Sequence, residues 1–178
     1  MDEKSLKERG IKFIESAVEK MPFDDKFFDV SLSRHMIEHV DNPIVACKEI
    51  MRVSQSGVII CPNVFAEYIF GRTYHKWFVQ RRGNTLIFVE KNESEISPLF
   101  GNPPRVENSR VNGDKNTNPF DILLNDRHWY KGFEGYKRLS EKIRALWYGH
   151  EPAIENVLIW EGSFNVVVIS QNGGVSQI

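Results

Sequence analysis

The segments FDVSL (residues 28–32), DNP (41–43) and VIIC (58–61) decide the fold. FDVSL has the composition of a strand, and VIIC is a continuous apolar run typical of strands covered on both faces. In DNP, Asn or Asp can cap a helix whose first turn tolerates the proline. The apolar residues that follow share one helical face: Ile44, Cys47, Ile50 and Met51. The order strand, helix, strand predicts a parallel α/β unit. The helix is predicted to end at Ser56-Gly57.

The whole sequence, residues 1–178, is predicted to form one domain that includes this unit. The predicted parts are a charged helix at 2–9, an α/β part at 11–63, an insertion at 64–155 and C-terminal strands at 156–170. Within the insertion we predict a β-ribbon (77–82, turn 83–84, 85–90), a flexible loop (98–119) and at least one helix in 121–148. The last two strands are joined around 161–163, and 171–178 is predicted to be a frayed tail.

Composition excludes several classes of protein. The chain of 178 residues has 23 Lys and Arg against 24 Asp and Glu, so its net charge gives no general argument for binding nucleic acid. No apolar run approaches the roughly 20 residues of a membrane span, so a cytoplasmic protein is expected. Cys47 and Cys61 lie in apolar segments and are predicted to be buried thiols. No metal site is predicted, because His, Asp and Glu do not cluster at metal-ligand spacing.

Five ordered motifs resemble the second half of a class I S-adenosylmethionine-dependent methyltransferase domain, of the methyltransferase type 11 kind. They are IKFI with EKMPF (11–14 and 19–23), FFDV (27–30), IEHV (37–40), KEIMRV (48–53) and GVIICPN (57–63). The fold class that this resemblance implies is α/β: a partial Rossmann-like methyltransferase sheet with helices on both faces, plus the β-ribbon and a helical insertion. The 11–14 segment would be the strand that precedes FDVSL.

The glycine-rich motif of that family is missing from these 178 residues. In the family, the cofactor site begins with a strand, a G-x-G-x-G turn and a helix, whereas the only glycine pair here is Gly173-Gly174. The chain therefore resembles a truncated domain entered at its second helix. Loss of the first strands would leave a sheet edge open. Either residues 11–14 dock directly on the FDVSL strand, or a partner chain or second copy covers the edge.

The resemblance also assigns candidate site residues. The catalytic candidates are Glu38 and His39, as a base or an acceptor contact. The cofactor-binding candidates are Ala17, Val18, Ser33, Arg34 and His35, and the substrate-binding candidates are Asn63, His75, Trp77 and His128. Several have a structural alternative: a hydrogen-bonded histidine for His39, a helix cap for 33–35, a turn for Asn63, and core packing for the aromatic residues.

The leading function implied is S-adenosylmethionine-dependent methyl transfer to a small-molecule acceptor, and an enzyme is the favoured interpretation. The alternative is a catalytically inactive methyltransferase-like module that binds a partner protein through its open edge. A third, weaker hypothesis is nucleic-acid binding by the basic residues of the ribbon region: Arg72, Lys76, Arg81 and Arg82.

Overall fold

The structure, a computed structural model, describes residues 8–70, 74–91, 141–142, 145, 149 and 151–178. Its elements in chain order are β1 (Phe28–Arg34), α1 (Pro43–Val53), β2 (Ser54–Pro62), α2 (Val64–Phe70), β3 (Trp77–Arg82), β4 (Thr85–Glu90), α3 (Glu151–Ile154), β5 (Glu155–Glu161), β6 (Asn165–Ile169) and β7 (Val175–Gln177). The α/β class is confirmed. None of the helices in the described ranges is long and apolar enough to cross a membrane.

The first sheet has the strand order β1-β2-β5 and contains the predicted parallel unit. β1 and β2 are parallel, and α1 connects them. Asn42 caps α1 by accepting a hydrogen bond from the Val45 amide at 3.2 Å. The helix ends at Val53, so the predicted break at Ser56-Gly57 is wrong: this pair lies inside β2. The strand begins earlier because Ser56 and Gly57 pair with both β1 and β5.

The second sheet has the order β3-β4-β6-β7, and its hairpin β3-β4 has the predicted bounds. The two C-terminal strands are confirmed, but they separate: β5 pairs with β2, whereas β6 pairs with β4. The predicted frayed tail is wrong. Val175–Gln177 pairs with β6, and Ile178 exchanges two backbone hydrogen bonds with Val166 at 3.0 Å, because the free edge of β6 offers partners for these amides and carbonyls.

The predicted strand at residues 11–14 is also wrong. These residues have no regular structure, and Phe13 is 62% exposed. Docking on β1 is therefore excluded as the means of covering that edge. On one face of the first sheet Val30, Leu32 and Ile159 are 65%, 70% and 75% exposed, so this face is apolar and open.

The core lies between the two sheets and under α1. Its buried members come from α1, from every strand of the two sheets except β1 and β7, and from two residues outside these elements, Ile37 and Phe164. Cys47 and Cys61 are fully buried, as predicted. The charged helix at 2–9, the loop at 98–119 and the helix in 121–148 lie wholly or mostly outside the described residues.

Candidate functional site

The carboxyl end of β1 leads into a turn that carries most of the predicted site residues. His35 follows the last strand residue with φ of 50°, in the left-handed region that few non-glycine residues adopt. Its amide donates to the Ile60 carbonyl at 2.9 Å, which keeps the turn attached to β2. Ser33 is buried, and its Oγ has no hydrogen-bond partner among the described residues.

Glu38 lies in that turn with an unusual environment for a carboxylate. The residue is 1% exposed, and within the described chain neither carboxylate oxygen has a hydrogen-bond partner. The nearest basic nitrogens are His35 Nδ1 at 3.5 Å and His39 Nε2 at 3.8 Å from Oε1. Both distances exceed that of an ordinary charge-assisted hydrogen bond. A buried acidic group thus lies among imidazoles without being satisfied by them.

His75 reaches the same place from the segment before β3. Its ring meets that of His39 edge to face, with centroids 4.7 Å apart. Its Nδ1 lies 2.5 Å from Oε1 of Glu67, a buried residue of α2 that also pairs with Lys91. The fold thereby brings together one ligand-type atom from each of Glu38, His39 and His75, all within 4.8 Å of one another.

On the opposite side of the turn, His35 contacts a second carboxylate. Its Nε2 lies 2.8 Å from Oε1 of Glu155, at the start of β5, and the Arg34 guanidinium lies 3.8 Å from the same oxygen. Acidic and basic groups therefore alternate across the ends of β1 and β5. These contacts tie the half-exposed side chains of Arg34 and His35 to the buried Glu155 carboxylate.

The histidines of this network respond differently to their surroundings. Proximity to Glu38, with help from Glu155, raises the pKa of His35 despite partial burial. Burial, together with the nearby His75, lowers the pKa of His39. Burial opposes ionisation of Glu67, yet contacts with His75 and Lys91 outweigh it, so the pKa of that carboxyl is lowered. Protonation of His35, beside Glu155, is thus favoured, whereas protonation of His39, beside His75, is disfavoured.

Two predicted substrate residues make structural contacts instead. Asn63 caps α2: its Oδ1 accepts from the Ala66 amide at 2.9 Å, and its Nδ2 donates to the Ala153 carbonyl at 2.9 Å. Trp77 is 7% exposed and donates its indole N–H to the Val40 carbonyl at 2.7 Å. The Asn63 contacts are those of a helix cap rather than of the predicted turn, and the burial of Trp77 is as the core alternative expects.

The remaining predicted residues are dispersed. Ala17 is exposed, and its carbonyl accepts from the Lys20 amide in a local turn. Val18 is half-buried and packs against the core. His128 lies outside the described residues.

An open groove of about 1110 Å³ lies elsewhere, at the amino ends of β1 and β2. Lys26, Asp29, Gly57 and Trp160 contribute to its wall. Ligands of open α/β sheets bind at the carboxyl ends of the parallel strands. The cluster of Glu38, His39 and His75, rather than this groove, therefore lies near the expected position.

Sequence spacing missed three members of the cluster's surroundings: Glu67, Lys91 and Glu155. Glu67 and Lys91 are 24 residues apart, and Glu155 is 120 residues from His35. For the same reason spacing showed no metal-ligand pattern: His75 is 36 residues from His39 and meets it only in the folded chain, where the Lys76 amide donates to the Glu38 carbonyl at 2.9 Å. A usable signal was the acidic residue within an otherwise apolar helix, VFAEYIF at 64–70.

Comparisons with known proteins agree with the order of motifs. Residues 1–61 match the family described as Methyltransferase domain. Searches of curated proteins and of solved structures found no match. The matched segment contains β1, the turn with Glu38 and His39, α1 and nearly all of β2. The match over residues 1–61, about a third of the 178-residue chain, therefore supports a class I S-adenosylmethionine-dependent methyltransferase-like domain in this segment and suggests methyl transfer in general terms.

Proposed function

We propose that this protein takes part in S-adenosylmethionine-dependent methyl transfer to a small-molecule acceptor, with the reaction centred at the carboxyl end of β1. The proposal depends on the fact that two findings concern the same part of the fold. The segment that matches the methyltransferase family contains the parallel strand pair β1-β2, and residues 33–38 lie at and just after the carboxyl end of β1, where open α/β sheets generally bind ligands. The same edge holds a buried, unsatisfied polar cluster.

The residues at this edge suit the methionine end of the cofactor. Ser33 offers a buried hydroxyl without a partner among the described residues, and the Arg34 side chain is 51% exposed. A hydroxyl and a guanidinium are suitable donors for an amino-acid carboxylate. The 178 residues contain no glycine-rich turn for the nucleotide end, so this chain's contribution lies on the methionine and acceptor side. When bound, the cofactor supplies the methyl group on a sulfonium.

The protein's work in such a transfer is mainly to align donor and acceptor, because the reaction is an in-line displacement. Glu38 and His39 follow Ser33 by five and six residues, in the turn after β1, and we assign them to the acceptor side of the site. A hydroxyl acceptor needs a base within hydrogen-bond reach, and either side chain has the chemistry to serve. The His39 ring is held by a 3.4 Å contact between its Nδ1 and the Tyr74 carbonyl and by stacking on the Tyr74 ring.

Isothermal titration calorimetry of the full chain with S-adenosylmethionine tests the proposal. We expect micromolar binding that Ser33→Ala weakens by about fivefold, the effect of losing one hydrogen bond. Ser31→Ala is the matched control, since that hydroxyl lies two residues earlier on β1 and contacts the Ser56 carbonyl at 3.4 Å. Absence of binding by a folded chain, or equal affinities for the two variants, would refute the proposal.

The alternative, a catalytically inactive module that binds a partner protein, remains a prediction. It now depends on the outer edge of β1, beside which no strand of the described residues lies, and on the exposed apolar face of the first sheet. Sedimentation velocity distinguishes a monomer from a self-associating chain, and only self-association would favour coverage of that edge by a second copy.

A further inference from the structure

We propose that Glu38, His39 and His75 form a binding site for a divalent transition-metal ion, with Zn²⁺ as the expected ion. The site goes beyond the proposed methyl transfer and does not depend on it. Three observations support it: an unsatisfied buried carboxylate, two imidazoles oriented by partners on their far side, and the mutual distances of the three side chains.

The first observation is the Glu38 carboxylate. It is 1% exposed, and neither oxygen finds a hydrogen-bond partner among the described residues. Buried carboxylates are normally paired, hydrogen-bonded or bound to a metal ion. His35 is the nearest alternative partner, but its Nε2 is already committed to Glu155 at 2.8 Å and its Nδ1 stays 3.5 Å from Glu38. A cation between Glu38 and the other two imidazoles would satisfy the carboxylate.

The second observation is the orientation of the two imidazoles. His75 Nδ1 contacts the Glu67 carboxylate at 2.5 Å, and His39 Nδ1 lies 3.4 Å from the Tyr74 carbonyl. Metal-bound histidines almost always donate their other ring N–H to a carboxylate or a backbone carbonyl, which fixes the ring and its tautomer. Here both types of acceptor are present, and Nε2 of each ring is left as the nitrogen for the metal.

The third observation is distance. The three ligand atoms lie within 4.8 Å of one another. A tetrahedral Zn²⁺ with bonds of about 2.0–2.2 Å holds its ligand atoms about 3.3 Å apart. Small side-chain rotations close that difference. Two histidines and one carboxylate form a ligand set of catalytic zinc sites, which keep a fourth position for water or substrate.

The location of Glu38, His39 and His75 in the fold suggests that the fourth coordination position of the ion binds the methyl acceptor. The cluster lies at the turn that follows the edge proposed to face the cofactor. A hydroxyl bound to Zn²⁺ loses its proton more readily than a free hydroxyl. An oxygen acceptor coordinated there would be both oriented and activated, and His39 would then act as a ligand rather than as a base.

The test is Zn²⁺ titration of the chelator-treated full chain by calorimetry, with bound metal counted by mass spectrometry and no methyl donor present. We expect one ion per chain and at least about tenfold weaker binding by Glu38→Gln and by His75→Gln. Glu155→Gln is the matched control, because it changes an acidic residue of the same network whose contacts are with His35 and Arg34 rather than with a proposed ligand. This control should keep the wild-type affinity. Glu67→Gln, which removes the charge that contacts both His75 and Lys91 but no metal ligand, should weaken Zn²⁺ binding about tenfold.

Zn²⁺ that binds the ligand variants as tightly as the wild-type chain, or fails to bind the wild-type chain, would overturn the proposal. If a ligand variant does not fold, Co²⁺ bound to the wild-type chain decides the question by its absorption spectrum. Intense visible bands of a four- or five-coordinate ion support the site, whereas the faint spectrum of an octahedral hydrated ion overturns it. These outcomes are independent of cofactor binding, so failure of the metal site and failure of the proposed function are distinguishable.

Discussion

Replacing Asn156 with alanine should destabilise the protein more than any exposed asparagine would, because this side chain joins the two sheets. The residue is buried in β5 of the first sheet. Its Nδ2 donates to the carbonyls of Pro62 at 3.1 Å and Val79 at 2.9 Å, and its Oδ1 accepts from the Arg81 amide at 2.9 Å. The Asn156 side-chain amide thus makes the hydrogen bonds that a neighbouring strand would otherwise make to the edge of β3 opposite β4.

The magnitude follows from the groups left unpaired. In Asn156→Ala the carbonyls of Pro62 and Val79 stay buried, whereas water can reach the Arg81 amide beside an exposed side chain. Each buried polar group that loses its partner destabilises the protein by about 1–3 kcal/mol. Two such groups give a loss of about 3 kcal/mol in the free energy of unfolding. With a urea m-value of about 2 kcal/mol/M, the midpoint should fall by about 1.5 M.

Urea unfolding followed by circular dichroism measures this shift. Asn84→Ala is the matched control, since its Nδ2 makes a 3.1 Å hydrogen bond to the Ser163 carbonyl at an exposed position. That variant should lose less than about 1 kcal/mol. Equal midpoints for Asn156→Ala and Asn84→Ala would refute the idea that the buried amide joins the sheets.

Three further predictions concern the frame around the site. Gly57→Ala should lower the melting temperature, because its new Cβ would lie 2.7 Å from a backbone oxygen of β1; an unchanged melting curve would contradict this. Hydrogen bonds from Arg52 lower the pKa of Glu49, so this pair stabilises the fold above the carboxyl's ordinary pKa and less as pH falls through the lowered value. The stability difference between wild type and Glu49→Gln should shrink with acidification, and a constant difference between pH 6 and pH 2 would argue against it. Burial raises the pKa of Cys47 to about 12 and raises that of Cys61 too; both thiols should resist iodoacetamide in the folded chain and react in urea.

The sequence alone determined the helices, strands and turns that depend on residues close together in the chain. The Asn42 cap, the apolar face of α1 and the run at 58–61 predicted the parallel unit, and Gly83-Asn84 predicted the hairpin to the residue. Each depends on periodicity or on a turn, which residues a few positions apart decide. The order of these motifs also predicted the methyltransferase-like character that the family match supports.

Only the tertiary structure decided which distant segments meet. Residues 11–14 have a strand-like composition but find no strand partner, whereas the polar tail at 175–177 becomes a strand because β6 has a free edge. The site follows the same rule. Glu38 and His39 were predicted as a pair, but His75, Glu67 and Glu155 join them through the packing of α2, β3 and β5. The sequence specifies which chemical groups are present, whereas the distances that bring these groups into one site arise from contacts between residues far apart in the chain.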